Sequence, residues 1–387
     1  MKLPIYLDFN ATTPVDPRVL ERMMPYFTMH YGNASSKGHA FGWAAAEGVT
    51  QAREQVAGAL GAEPAEIVFT GGATESLNLA IKGVASAYRS KGRHLVTVAT
   101  EHSAVLKSCT ALEREGWAVT RLPVEKSGLV SPEAVEAALT DETVLVAVMW
   151  ANNETGVIQP IREIGECVRS RGILMLTDAT QALGKIPIDV EQVDLLACTA
   201  HKLYGPKGVG ALYVRRRQPR VRLVPQIDGG GQEEGVRSGT LNTPGIVGFG
   251  AAVAVAMEGM AQEGQRLGRL RDTFESRLRD ALPGMRVNGA EAPRLPHVSN
   301  LTFPGVRSAH LVTELRDLAM STGSACSSGI GQPSHVLKAM GLSDEAAYAT
   351  LRISLGRFTT EEEMNHATNS MISVVERLQK KPVVTIY

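Results

Sequence analysis

Lys202, in TAHKLYGPKG, follows an apolar run and precedes a glycine-rich turn. A primary amine held there can condense with an aldehyde and so anchor an aldehyde cofactor as a Schiff base. Most lysines are surface charges. This one is set apart by its place at the end of a strand-like run, beside Thr199 and His201. Upstream, Asp178 closes the apolar run of LMLTDATQ. It reads either as a turn or helix-cap carboxylate or as the acid partner of a ring nitrogen, kept protonated so that the ring draws electrons. Gln181, shortly after it, could hydrogen-bond a ring hydroxyl. His102, in ATEHSAV, is either a helix cap or an imidazole stacked on the ring, able to move protons near neutral pH.

Further groups fit the same chemistry. In FTGGATESLN a strand runs into Gly71 and Gly72, and Ala73 and Thr74 open a helix. Backbone N–H groups at a helix N-terminus, approached through glycines, suit a phosphate. The spacing is neither Walker A nor G-x-G-x-x-G, and a plain glycine turn is the other reading. MWANNETG brings Asn152, Asn153 and Glu154 to another strand end, as turn residues or as substrate contacts. Cys109, Cys167 and Cys198 have apolar or helical surroundings and read as packing thiols, whereas Cys326 lies among Gly and Ser in STGSACSSGIG. An exposed thiol becomes a nucleophile when its pKa is lowered. Arg352, in LRISLGRF, can grip a carboxylate bidentately. For Arg357 in the same run a salt bridge is an equal reading.

These residues need a frame that brings strand ends together. From about residue 50 to 215, apolar strand-like runs alternate with helical patterns: IVFTG, HLVTVAT, TVLVAVMW, LMLTDAT, LLACTA and GALYV. Such alternation predicts an α/β domain with a mostly parallel sheet flanked by helices, whose ligands bind beyond the carboxyl ends of the strands. A long helical stretch after Gly245 leads into a smaller C-terminal α+β domain, with strands near VSNLTF and LRISLG. The expected division is 16–258 for the large domain, and 1–15 with 259–387 for the small one. A chain of 387 residues accommodates two such cores.

Composition narrows the function classes. Lys+Arg and Asp+Glu number 40 each, so no global charge draws the chain to nucleic acid or to an anionic membrane. The basic run RRRQPRVR, from Arg215 to Arg222, reads as a solvated edge or as a docking surface for acidic proteins. MKLPIYLDFN is not a signal peptide, no apolar run approaches a membrane span, and the four cysteines form no CxxC pair. A cytoplasmic protein with free thiols and no metal site is expected.

Together the motifs resemble the cysteine desulfurases of the IscS/NifS type, in the class V aminotransferase group of pyridoxal-phosphate enzymes. The resemblance rests on GNASSKGHAFG, GATESLNLAIKG, TEHSAVL, ANNETGVIQPI, DATQALGKIPID, HKLYGPKGVGALYVRR, RSGTLN and GSACSS, spread over nearly the whole chain. It implies fold type I. It implies a Schiff base between Lys202 and pyridoxal 5'-phosphate, with Asp178 at the pyridine nitrogen, Gln181 at the ring hydroxyl and His102 stacked on the ring. Thr74, Thr199, His201 and the backbone of Ala73 would hold the phosphate. Thr240 would reach the phosphate of the neighbouring subunit, which implies a homodimer. Asn153 and Arg352, with Asn33 nearby, would hold the carboxylate of L-cysteine.

On the same resemblance, Cys326 would take the sulfur as a persulfide and pass it to an acceptor, an iron–sulfur scaffold or a sulfur carrier. That thiol would transiently contact a cluster on such a scaffold. Related activities stay open at this point: a selenocysteine lyase, a class V aminotransferase, a sulfur donor for DNA phosphorothioation or nitrogenase maturation, or a non-catalytic scaffold. The chain departs from the family pattern at Leu176, where many members carry His, at Thr199-Ala200 in place of Ser-Gly, and at Gly71 in place of Ser or Thr.

Overall fold

The computed structural model describes residues 3–322 and 332–380. Its central sheet has seven strands. These are β1 (Ile67–Thr70), β2 (His94–Val98), β3 (Ala118–Leu122), β4 (Thr143–Ala147), β5 (Leu174–Asp178), β6 (Leu195–Thr199) and β7 (Gly210–Val214). Their spatial order is β1-β7-β6-β5-β4-β2-β3. Every pairing from β3 to β6 is parallel, and β7 runs against both of its neighbours. All the other strands therefore end on one edge of the sheet.

The strands are apolar throughout because both faces are covered. Alternate residues of one strand enter different cores: Met175, Leu196 and Cys198 face one side, and Leu174, Leu176, Leu195 and Ala197 the other. The first side is packed by α1 (Ala40–Leu60) and by the helix Ile161–Ser170, whose Ile161, Ile164 and Val168 recur on one helical stripe. The second is packed by α2 (Ala73–Tyr88) and α3 (Ser103–Arg114).

A long helix, α4 (Thr243–Ala281), starts against the first core and ends in a third. That third core lies under an antiparallel sheet of β8 (Arg286–Val287), β9 (Val298–Thr302), β10 (Ser321–Thr322) and β11 (Thr350–Ser354), ordered β10-β11-β9-β8. Its fill comes from Leu267, Phe274 and Leu278 of α4, from Met364, Met371 and Val375 of α5 (Glu361–Lys380), and from Leu7. The start of the chain belongs here too: Ile5–Tyr6 pairs in parallel with Leu318–Ala319. The fold is thus α/β, a mostly parallel sheet flanked by helices joined to a smaller antiparallel α+β unit.

One expectation is corrected. By length and composition α4 could cross a membrane, against the expectation that no apolar run approaches a span. Here it lies against α1, and half of its most apolar stretch is buried inside the protein. Its apolar residues are those that a core helix needs.

Candidate active site

The common strand edge opens into a cleft of about 840 Å3, within the size range of ligand pockets. Its walls include Ala73, Thr74, His102, Asn153, Asp178, Gln181, Thr199, His201, Lys202 and Arg352. Residues far apart in the chain meet because those from the large sheet lie at or just beyond the end of a strand, while Arg352 comes from the middle of β11. Asp178 is the last residue of β5, Thr199 the last of β6, and His201 and Lys202 form the one-turn 3-10 helix after it.

The amine of Lys202 donates to the backbone carbonyls of Asn10 at 2.7 Å and Ala11 at 2.6 Å. Asp178 is buried, and its Oδ1 accepts from the Thr180 N–H at 2.9 Å. Gln181 donates from Nε2 to the Asn10 carbonyl at 3.0 Å. His102 is the N-cap of α3, with Nδ1 accepting from the Ala104 N–H at 3.2 Å, and it also lines the cleft. Burial pushes its pKa down, and Lys202 and His335 add to this against the pull of Asp178. The imidazole is therefore held neutral, the form that can take a proton.

The opposite end of the cleft is shaped for an anion. Gly72 is the N-cap of α2, with φ 148° and no side chain to cap the helix. The first N–H groups of α2 are left for a ligand. Gly210 at the start of β7 lets the two backbones approach: a Cβ there would lie 2.7 Å from the Gly72 Cα. Thr199 Oγ1 donates to the Val209 carbonyl at 2.9 Å, and its single O–H would turn from that carbonyl to serve a phosphate. The Nδ1 of His201 engages Thr12 at 3.1 Å. Burial first, then Lys202 and Lys207, bring His201 down to about 4, so its neutral ring offers a hydrogen bond rather than a charge.

This set fits pyridoxal 5'-phosphate: an amine for the aldehyde, a carboxylate for the ring nitrogen, and a glycine-lined helix N-terminus with hydroxyls for the phosphate. Arg352 on β11 reaches the cleft from the small sheet. It is 3 % exposed, donates to the Asn153 carbonyl at 2.9 Å, and pairs with Asp8 at 2.6 Å. Its buried Nε has no hydrogen-bond partner among the described residues.

Two candidates stay outside this cleft. Asn33 is exposed and accepts from the Ser35 N–H at 2.9 Å within its own turn. Thr240 is exposed and does not line the walls. Cys326 lies outside the described residues. Asn152 resolves to a turn residue, its Oδ1 accepting from the N–H groups of Glu154 and Thr155. Arg357 is a half-buried ion-pair residue between Asp16 and Glu263; Arg18 first, and Arg357 with it, draw the Asp16 carboxyl below its ordinary range. Cys109 and Cys198 are packing thiols, each pushed up to about 12 by burial.

Sequence reasoning missed the segment Asp8–Thr12, which supplies Lys202 with carbonyls, Arg352 with a carboxylate and His201 with a hydroxyl. It also missed Lys207 on the wall. The signal that was available is the polar run FNATT directly after the strand-like IYL.

The aminotransferase class-V family matches residues 5–366. The chain belongs to this family. Within it, the chain is 54% identical to "Cysteine desulfurase IscS" of Anaeromyxobacter sp. (strain Fw109-5), an alignment covering 98% of this chain and 94% of that relative. Among solved structures, a NifS-like protein superposes with a TM-score of 0.90 at 37% identity, over 97% of this chain and all 100% of its own. SspA in complex with cysteine superposes with a TM-score of 0.82 at 41% identity, over 92% and 100%. The family member described here is thus similar to cysteine desulfurases along nearly its entire length.

Proposed function

We propose that the chain is a pyridoxal-phosphate-dependent cysteine desulfurase that converts L-cysteine to L-alanine and transfers the sulfur through a persulfide on Cys326. The observation that supports this best is the convergence of Lys202, Asp178, His102, the phosphate cradle and Arg352 on one cleft. When bound, pyridoxal phosphate supplies the aldehyde that takes the substrate amine and the ring that accepts electrons.

The chain's own groups do the rest. Thr74, Thr199, His201 and the Ala73 N–H hold the phosphate. Asp178 keeps the ring nitrogen protonated, Gln181 donates to the ring oxygen, and His102 covers the ring as a neutral proton carrier. Asn153 and Arg352 hold the substrate carboxylate, while Lys202, once released, takes the proton from the substrate Cα. The Cys326 thiolate attacks the substrate sulfur, so that an S–S bond forms as the C–S bond breaks. L-cysteine plus the thiol gives L-alanine plus the persulfide, with atoms and electrons balanced and no outside oxidant.

The reading extends to a homodimer in which Thr240 serves the neighbouring site, to a protein acceptor such as an iron–sulfur scaffold or sulfur carrier, and to a cytoplasmic setting where such thiols stay reduced. With it goes a division near residue 258 of α4, residues 1–15 joining the C-terminal unit. For the test, purified protein loaded with pyridoxal phosphate is given L-cysteine. Alanine should appear, and Cys326→Ala should keep the visible band of the cofactor while sulfur transfer falls by at least about 100-fold, the scale expected for loss of a nucleophile. Undiminished sulfur transfer by that variant would refute the role of Cys326.

A further inference from the structure

Lys185, in ALGKIP, has no part in the chemistry above. It does not line the cleft; with Glu263 and His297 it borders a small cavity behind Lys202. The residue is half-buried, but its amine is directed inward. Burial, then Lys202, lowers that amine to about 7, Glu263 opposes the shift, and Arg352 adds to it. A buried amine needs a partner. Its partner is Gln181, whose Oε1 accepts at 2.8 Å.

This contact and the Asn10 carbonyl together settle which way the amide points. The two ends of a Gln side chain look alike in shape, and only the hydrogen-bond network tells them apart. An ammonium has donors and no acceptor, so the atom facing Lys185 is the oxygen. The N–H2 end then faces the opposite way, toward the Asn10 carbonyl at 3.0 Å, on the side where Asn10 and Gln181 both line the cleft. One N–H serves Asn10 and the other is left for a ligand. A neutral amine could also accept, but the Asn10 carbonyl only accepts and so requires the N–H2 end on its side, which keeps Oε1 facing Lys185 in either state.

We propose that Lys185 is a positioning residue: by holding Gln181 Oε1 it turns the Gln181 amide so that an N–H meets the phenolic oxygen of the cofactor ring. This rests on the cofactor reading above, because that oxygen belongs to pyridoxal phosphate. An ionised ring oxygen only accepts, so a reversed amide would set oxygen against oxygen. Without Lys185, Oε1 would be buried with no partner, and the reversed orientation would gain weight.

The test uses apo protein reconstituted with pyridoxal phosphate and reads two quantities besides turnover: the cofactor dissociation constant and the pH midpoint of the visible band. Lys185→Met keeps the stem and removes the donor. It should weaken cofactor binding about tenfold, the scale of one lost hydrogen bond to a charged acceptor, and move the midpoint in the same direction as Gln181→Ala. Combined with Gln181→Ala it should add nothing further. Lys185→Arg, which restores a donor, should recover most of the loss. If Lys185→Met does not fold, Lys185→Gln, too short to reach Gln181, takes its place. Should Lys185→Met retain the wild-type midpoint and affinity while Gln181→Ala changes both, the positioning role is wrong. Additive effects of the two substitutions would overturn it as well. A wild-type chain that acquires no visible band would instead sink the cofactor reading itself.

Discussion

Arg352 shows how much a single side chain has to satisfy. A guanidinium this deeply buried is costly unless its donors are met. Asp8 and the Asn153 carbonyl each take one N–H of the five, and among the described residues Nε has no partner. A substrate carboxylate fits that remainder as a planar, charge-assisted partner. Lysine has the charge but not the fork, and it would also leave Asp8 incompletely paired. Arg352→Lys should therefore raise KM for L-cysteine about tenfold or more, as expected for a lost bidentate contact. The affinity of the apo protein for pyridoxal phosphate should stay near wild type, since Arg352 is not assigned to the cofactor. Steady-state kinetics beside a cofactor titration checks both; an unchanged KM would remove Arg352 from the substrate site. At this scale the sequence was legible where a side chain's type marks it, as for Lys202, Asp178, His102 and Arg352, which all line the cleft. It was opaque for Asn10 and Ala11, because their contribution to Lys202 is made by backbone carbonyls that any residue carries.

Between elements, the end of the cleft shaped for an anion depends on a close approach that only glycine permits. At Gly210 a Cβ would stand 2.6 Å from the Cys198 carbonyl oxygen and 2.7 Å from the Gly72 Cα, both backbone atoms that cannot swing aside. Gly72 itself has φ 148°, a conformation side chains rarely adopt. Gly210→Ala should push β7 away from the start of α2. The apo protein should lose about 1–3 kcal/mol, as for other overpacked interior sites, and cofactor affinity should fall with it. Gly58→Ala, on α1 with nothing within 4 Å of the new Cβ, should raise stability by about 0.4–1 kcal/mol. Denaturant unfolding of both variants tests the contrast. If Gly210→Ala is as stable as wild type, the cradle does not depend on that contact. The strands that form this frame were readable because burial on both faces makes them continuous apolar runs. β3 was not, because its residues are mostly exposed or half-buried and include Thr120 and Arg121, so nothing marks it as a strand until it is seen pairing with β2. The two-residue strands at Ile5–Tyr6, Arg286–Val287 and Ser321–Thr322 are too short to leave any periodicity.

The whole molecule presents apolar surface that one chain does not cover. Met24, Phe27, Met29, Tyr31, Phe41 and Trp43 are exposed and come from one short stretch of chain, with Trp43 at 59 % and Met29 at 65 %. Tyr31 and Phe41 pack ring to ring with centroids 5.3 Å apart; exposed apolar residues gathered in this way suit an interaction face, which a two-fold dimer would bury against itself. Thr240, exposed and absent from its own cleft, then becomes available to the other subunit. Sharing of this type can be read by complementation. Lys202→Ala protein has no anchoring amine, and Thr240→Ala protein has no hydroxyl to lend. In a mixed dimer one site combines Lys202 from one chain with Thr240 from the other and is intact, while the second site lacks both. Random exchange makes about half the dimers mixed, so unfolding and refolding the two variants together should restore roughly a quarter of wild-type activity. Each variant refolded alone should stay well below that level. Light scattering on the same samples reports whether dimers are present. A dimer that regains nothing on mixing would show that Thr240 serves no site across the interface, and a monomer with full activity would show that one chain completes the cleft unaided.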